Sequence, residues 1–165
     1  MFLVVPNLII PERCCDLIAL YQKYNNLAGQ WRDTYPLLIT PREDSLNIID
    51  PLYLKKIKNS FCSFFNNYIE GIEIVKWPPN SFQSKHFDDA RESTNLSSIT
   101  YLNDDYEGGQ TCVPSEKICI NPKVGTTFFF DGKTYQHEVT PVKNGTRYTL
   151  AVSYTNNSRK RNKNI

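Results

Sequence analysis

From Gly71 onward the chain breaks into short β-rich runs separated by turn residues, with no helical insert between them. The runs are 72–77, 97–102, 110–113, 117–120, 126–130 and 146–155. Pro78-Pro79-Asn80, Asn103-Asp104-Asp105, Gly108-Gly109, Asn121-Pro122, Asp131-Gly132 and Asn144-Gly145 punctuate them. Parallel strands need long crossovers, so this spacing argues against a parallel α/β sheet and predicts an antiparallel sandwich or barrel.

The residues before Gly71 read differently. Pro11 suits a first helical position, and Cys14, Leu17, Ile18, Tyr21 and Tyr24 recur at helical steps. Asp50 and Pro51 make a good N-cap and first residue for a second helix, with a stripe of Leu54, Ile57, Phe61, Phe64, Phe65 and Tyr68. Segment 30–47 reads as loop or short strand. The expected architecture is mainly β with N-terminal helices: helices over about 11–69 and a barrel over about 71–155, in one domain spanning 1–155. With 165 residues, 40% of them hydrophobic, the chain can bury a core of its own.

Charge and hydropathy exclude more than they select. A net charge of +2 gives no electrostatic case for nucleic acid. The tail 156–165 carries Arg159, Lys160, Arg161 and Lys163 and reads as a solvated terminus. No apolar run reaches a membrane span, and Met1 to Ile10 lacks the basic start and cleavage site of a signal peptide. The expectation is an intracellular, soluble protein with neither membrane nor nucleic acid as partner. The five cysteines form no C-x-x-C pair and are expected as free thiols, Cys14 and Cys15 serving as small helix hydrophobes.

The chemistry concentrates in "SKHFDDA". If this stretch is extended, His86 and Asp88 point to one face and Asp89 to the other. The pair alone is weak, since polar residues also collect in turns. The other histidine of the chain, His137, lies far downstream in "TYQHEV". Two imidazoles and one carboxylate are the ligand set of a mononuclear non-haem Fe(II) site, and they leave coordination positions open. Ten residues after His137 comes Arg147, in "RYTLAVSYT". As a strand, this places Arg147, Thr149, Ala151 and Ser153 on one face and Tyr148, Leu150, Val152 and Tyr154 on the other. The bulky face should pack outward against helices or another layer. A guanidinium projecting into a small-residue cavity takes either a carboxylate ligand or an internal salt-bridge partner, and the pattern alone leaves both open.

These residues, in this order, resemble the 2-oxoglutarate and Fe(II)-dependent dioxygenases of the prolyl 4-hydroxylase-like branch. "SSITYLNDDYEGGQT", "INPKVGTTFFFDG" and "HEVTPVKNGTRYTLAVSY" are each similar to linked motifs of that family, and "VVPNLIIPERCCDLIALYQ" fits its approach to the first helix. The resemblance spans about Pro6 to Thr155. It implies a double-stranded β-helix, a jelly-roll barrel with the site inside. It implies His86, Asp88 and His137 as catalytic iron ligands, Arg147 binding the distal carboxylate of 2-oxoglutarate, and Tyr101 hydrogen-bonding that carboxylate. Fe(II), 2-oxoglutarate and O2 are the implied cofactor and co-substrates, with ascorbate as candidate reductant. The products would be succinate, carbon dioxide and a hydroxylated substrate; a carboxylate at position 88 favours hydroxylation over halogenation.

Two positions depart from the family pattern. Trp77 stands where a tyrosine often supports the co-substrate, so Trp77 is a candidate cofactor contact, with packing at a strand end as the alternative. Gln83 replaces a frequent tyrosine three residues before His86. The segment 89–95 is expected to form a mobile rim over the site. By resemblance the expected substrate is a prolyl residue in a peptide or protein. A free amino acid or other small metabolite is the second reading, and a non-catalytic jelly-roll binding module the third.

Overall fold

The computed structural model describes residues 2–39, 68–88, 94 and 96–155. The expected second helix as far as Asn67, the basic tail and all of the expected rim except Thr94 lie outside the described residues, while Tyr68, expected at the end of that helix, begins a strand instead.

In chain order the elements are β1 (Phe2–Val5), α1 (Pro11–Lys23), β2 (Tyr35–Leu38), β3 (Tyr68–Trp77), β4 (Gln83–His86), β5 (Leu96–Tyr101), β6 (Glu107–Gly108), β7 (Thr111–Val113), β8 (Ile118–Ile120), β9 (Thr127–Phe130), β10 (His137–Val139), β11 (Val142–Lys143) and β12 (Arg147–Thr155). They build a six-stranded sheet in the order β1-β9-β5-β12-β3-β2 and a four-stranded sheet in the order β4-β10-β7-β8, with a small β11-β6 ribbon. Every pairing is antiparallel. The antiparallel sheets are what the punctuated β runs predict, their jelly-roll arrangement is what the resemblance implies, and all six of those runs are strands here.

Strand β12 lies at the centre of the larger sheet. It pairs with β3 from Arg147↔Trp77 to Thr155↔Tyr68 and with β5 from Thr149↔Tyr101 to Tyr154↔Leu96. Its alternation sorts two environments. Leu150, Val152 and Tyr154 join the main core with Cys14, Leu17 and Tyr21 of α1. Burying such side chains contributes about 1.5–3 kcal/mol each. The opposite face, with Arg147, Thr149, Ala151 and Ser153, lines the interior. Helix α1 begins at Pro11 as expected, where the missing N–H costs nothing.

Two of the four described cysteines differ from the free-thiol expectation, and Cys62 lies outside the described residues. Cys112 on β7 and Cys119 on β8 are opposite each other in register, with Cα atoms 4.0 Å apart, and form a disulfide. A tight hairpin brings them together, and the spacing in sequence carries no such signal. Cys14 is buried as a small hydrophobe, and burial pushes its thiol up to about 11, but Cys15 is exposed. Among the described residues no helix is long and apolar enough to cross a membrane.

Candidate active site

The interior holds a cavity of about 460 Å³ between the two sheets. His86, Asp88 and His137 line one wall, while Arg147, Trp77 and Thr149 line another.

The two histidines come from paired strands of the smaller sheet, with His137 opposite His86 in register and ring centroids 4.1 Å apart. Each ring is oriented by its own backbone. His86 Nδ1 lies 2.9 Å from Ser84 O, and His137 Nδ1 lies 3.1 Å from Tyr135 O. A carbonyl only accepts, so both Nδ1 atoms carry the proton and both Nε2 atoms present lone pairs. Gln83 Nε2 donates to His86 Nε2 at 2.9 Å, consistent with that tautomer, and a metal taking that lone pair would displace the Gln83 amide. Asp88 follows β4, and its Oδ1 lies 3.4 Å from His137 Nε2 and 3.7 Å from His86 Nε2. Ligand atoms of the three residues all lie within 4.8 Å of one another and could hold a metal ion. Neutral imidazole and an ionised carboxylate are the protonation states a divalent metal requires. Burial lowers the pKa of His86, and the neighbouring His137 adds to this. Burial works to raise the Asp88 carboxyl, but the neighbouring His137 ring and the Ser97 hydroxyl outweigh it and hold it below the usual range.

The structure brings Asp88 to the histidines and does so through backbone and side chain. Asp88 N donates to Gly132 O at 2.8 Å, and Ser97 Oγ donates to Asp88 Oδ2 at 2.7 Å.

Arg147 is only 1% exposed, at the start of β12. Its Nη2 donates to Thr111 Oγ1 at 3.2 Å, while Nε and Nη1 are buried without a hydrogen-bond partner. The internal salt bridge left open by the sequence is not found among the described residues. A buried cation with two idle donors facing a cavity is a site for an anion. Trp77 underlies it, with the guanidinium carbon 4.5 Å from the indole centroid. The indole N–H donates to Thr149 Oγ1 at 3.2 Å, so the ring face meets Arg147 while the edge is tied to β12. Tyr101 also approaches, its ring centroid 5.4 Å from the guanidinium carbon. Its hydroxyl is already engaged, donating to Ile120 O at 3.1 Å and accepting from Thr111 N at 3.1 Å.

Sequence reading overlooked three contributors. Ser97 and Thr111 touch Asp88 and Arg147 from other strands, and short polar side chains in strands carry no distinguishing pattern. Tyr106 is the third. Its hydroxyl is buried beside Arg147 but makes no well-formed hydrogen bond; burial raises its pKa, and the nearby Arg147 offsets part of this. The glycine pair after it was the available signal. A side chain at Gly109 would lie 3.0 Å from Arg147 Cδ and 2.9 Å from the Tyr106 ring.

Comparison with known proteins converges on one family. Three solved structures are similar over nearly the whole chain. A viral collagen prolyl hydroxylase from Paramecium Bursaria Chlorella virus-1, in complex with 2-oxoglutarate, is 23% identical, with 93% of this chain and 94% of that chain covered and a TM-score of 0.69. A prolyl-4-hydroxylase of Pseudomonas putida is 17% identical, covering 94% and 92%, with a TM-score of 0.73. A Trichoplax adhaerens prolyl hydroxylase, solved with a hypoxia inducible factor oxygen degradation domain peptide, is 17% identical, covering 99% and 87%, with a TM-score of 0.71. No curated protein sequence matches the chain significantly. The sequence profile of the 2OG-Fe(II) oxygenase superfamily matches residues 72–155, from the first core position of β3 to the end of β12, and the chain therefore belongs to that superfamily of iron- and 2-oxoglutarate-dependent oxygenases.

Proposed function

We propose that the protein hydroxylates an aliphatic carbon of a prolyl residue in a peptide or protein, converting 2-oxoglutarate and O2 to succinate and carbon dioxide. The observation that carries the site assignment is Arg147: a buried guanidinium with two idle donors opens into the same cavity as a His-Asp-His set. The prolyl assignment is supported by the three similar structures, all of them prolyl hydroxylases, one bound to a peptide.

In this reading His86, Asp88 and His137 hold Fe(II), and the donor set fits it: two Nε2 lone pairs and one carboxylate oxygen within 4.8 Å. Fe(II), once bound, supplies the redox chemistry that couples decarboxylation of 2-oxoglutarate to insertion of one oxygen atom into a C–H bond. The chain's own residues do the positioning. Arg147 takes the distal carboxylate of 2-oxoglutarate through Nε and Nη1, a charge-assisted contact in a water-poor site. The Trp77 indole face supports the guanidinium, and Thr111 fixes Nη2. Tyr101 buttresses Arg147 with its ring. Thr149 and Ala151 leave room for the co-substrate.

The test is aerobic incubation of the iron-loaded protein with 2-oxoglutarate, ascorbate as the proposed reductant, and proline-containing peptides, reading succinate and a mass gain of one oxygen. Hydroxylated prolyl peptide is the expected product. Gain of oxygen on free amino acids alone would replace the peptide assignment with the small-molecule one. No succinate and no iron binding under any condition would overturn the site assignment.

A further inference from the structure

We propose that Ser97 and Gly132 are positioning residues that hold Asp88 in a one-oxygen binding mode, so that the carboxylate occupies a single coordination position. The inference rests on the reading of Asp88 as a metal ligand.

The two oxygens of Asp88 have separate surroundings. Oδ1 faces the histidines, at 3.4 Å from His137 Nε2 and 3.7 Å from His86 Nε2. Oδ2 accepts the Ser97 hydroxyl at 2.7 Å. Ser97 is buried, and it belongs to the larger sheet, where it pairs with Phe130 on one side and Ser153 on the other. The bond therefore runs from a strand held on both sides to a residue just beyond the last position of β4. A hydrogen bond to the second oxygen takes one of its lone pairs and fixes its direction, which favours binding through the first oxygen. A carboxylate released from that bond can turn and bind through both, consuming a position that a co-substrate or dioxygen would need.

Gly132 closes the other side. Its carbonyl accepts Asp88 N at 2.8 Å, so the two backbones are in contact. A Cβ at position 132 would lie 2.6 Å from Asp88 Cβ and 2.7 Å from Cγ, and closer still to Oδ2. Both Asp88 Cβ and Cγ are near-rigid parts of a short side chain, so a methyl group there displaces the carboxylate. Glycine at 132 is required here by close approach, since its φ is not in the left-handed region. Groups that orient a metal ligand from behind typically change affinity by roughly 10–100-fold when removed.

The experiment measures Mn(II) affinity by calorimetry on the metal-free full chain, for wild type, Ser97→Ala, Ser97→Thr, Gly132→Ala and Asp88→Ala, with melting temperatures of the metal-free proteins alongside. Co(II) visible absorption, whose intensity follows coordination number, reads the binding mode. Ser97→Ala should weaken Mn(II) binding by roughly 10–100-fold and lower the Co(II) band intensity, with an unchanged metal-free melting temperature. Ser97→Thr should restore both, and Gly132→Ala should lose at least as much affinity as Ser97→Ala. Ser97→Ala binding Mn(II) as tightly as wild type while Asp88→Ala loses it would overturn the inference and leave the ligand assignment standing. Equal losses in Ser97→Ala and Ser97→Thr would also overturn it, by showing that the hydroxyl is not what matters. Full Mn(II) binding by Asp88→Ala would sink the ligand assignment and the inference together.

Discussion

The six-stranded sheet presents Arg147 from a nine-residue strand, whereas the four-stranded sheet presents its histidines from strands of three and four residues. The difference is one of support. Arg147 sits in a ladder with β3, its β12 neighbours pair with β5, and the reverse face of β12 packs on α1. Position there follows from register and core packing. Short strands define direction poorly, and a register shift interrupts the pairing of β10 with β4. The triad is instead fixed one residue at a time: Nδ1 bonds to Ser84 and Tyr135 carbonyls, a Ser97 bond across the sheets, and a backbone contact to Gly132. In the proposed reading the same fold secures the anion site by its ladder and the metal site by local bonds, and the two should fail independently.

Substitutions can break that contrast. Asp88→Ala should remove the carboxylate and with it Mn(II) binding, by more than about 100-fold, since losing a ligand exceeds the cost of losing its support. The metal-free melting temperature should fall only modestly, because the Ser97 bond is lost but no apolar core contact is. Arg147→Ala should weaken 2-oxoglutarate binding by about 2–4 kcal/mol, on the order of 30–1000-fold, measured anaerobically on the Mn(II) form. Its Mn(II) affinity should not move; a parallel loss would show that the two regions are coupled. Arg147→Lys should recover part of the affinity, because an ammonium supplies charge without the paired donors.

Two smaller effects sharpen the comparison. Replacing Cys112 and Cys119 together by serine should cost about 2–3 kcal/mol in urea unfolding under non-reducing conditions, as expected for closing a short loop. Hydrogen exchange should rise in β7 and β8 while β12 stays protected; faster exchange in β12 would mean that the sheets open as one unit. Trp77→Phe keeps an aromatic face under Arg147 and removes the bond to Thr149. It should weaken 2-oxoglutarate binding by about 0.5–1.5 kcal/mol, a few-fold to about tenfold.

Much of this was legible in one dimension. The two-residue alternation of "RYTLAVSYT" separates Arg147 from Leu150, Val152 and Tyr154, and the structure keeps that separation. The i, i+2 argument chose Asp88 over Asp89 because both side-chain direction and chain spacing are local properties. The resemblance gave Tyr101 a hydrogen bond to the co-substrate carboxylate, yet its hydroxyl is engaged by Ile120 and Thr111, partners from other strands. The expectation of free thiols failed at Cys112 and Cys119 for the same reason, since a hairpin's register decides which residues face each other.

The amino-acid order by itself determined the six strands marked by the punctuated runs, the two faces of β12 and the residue types able to bind a divalent metal and a carboxylate. These depend on period, turn chemistry and side-chain identity, all of which act over a few residues. Only the tertiary structure decided that Arg147 has two idle donors, that Trp77 offers its face and not its N–H, and that Ser97 and Gly132 grip Asp88. Each of those depends on which distant strands pack together, because a hydrogen bond or a steric limit acts over about 3 Å of space regardless of separation along the chain.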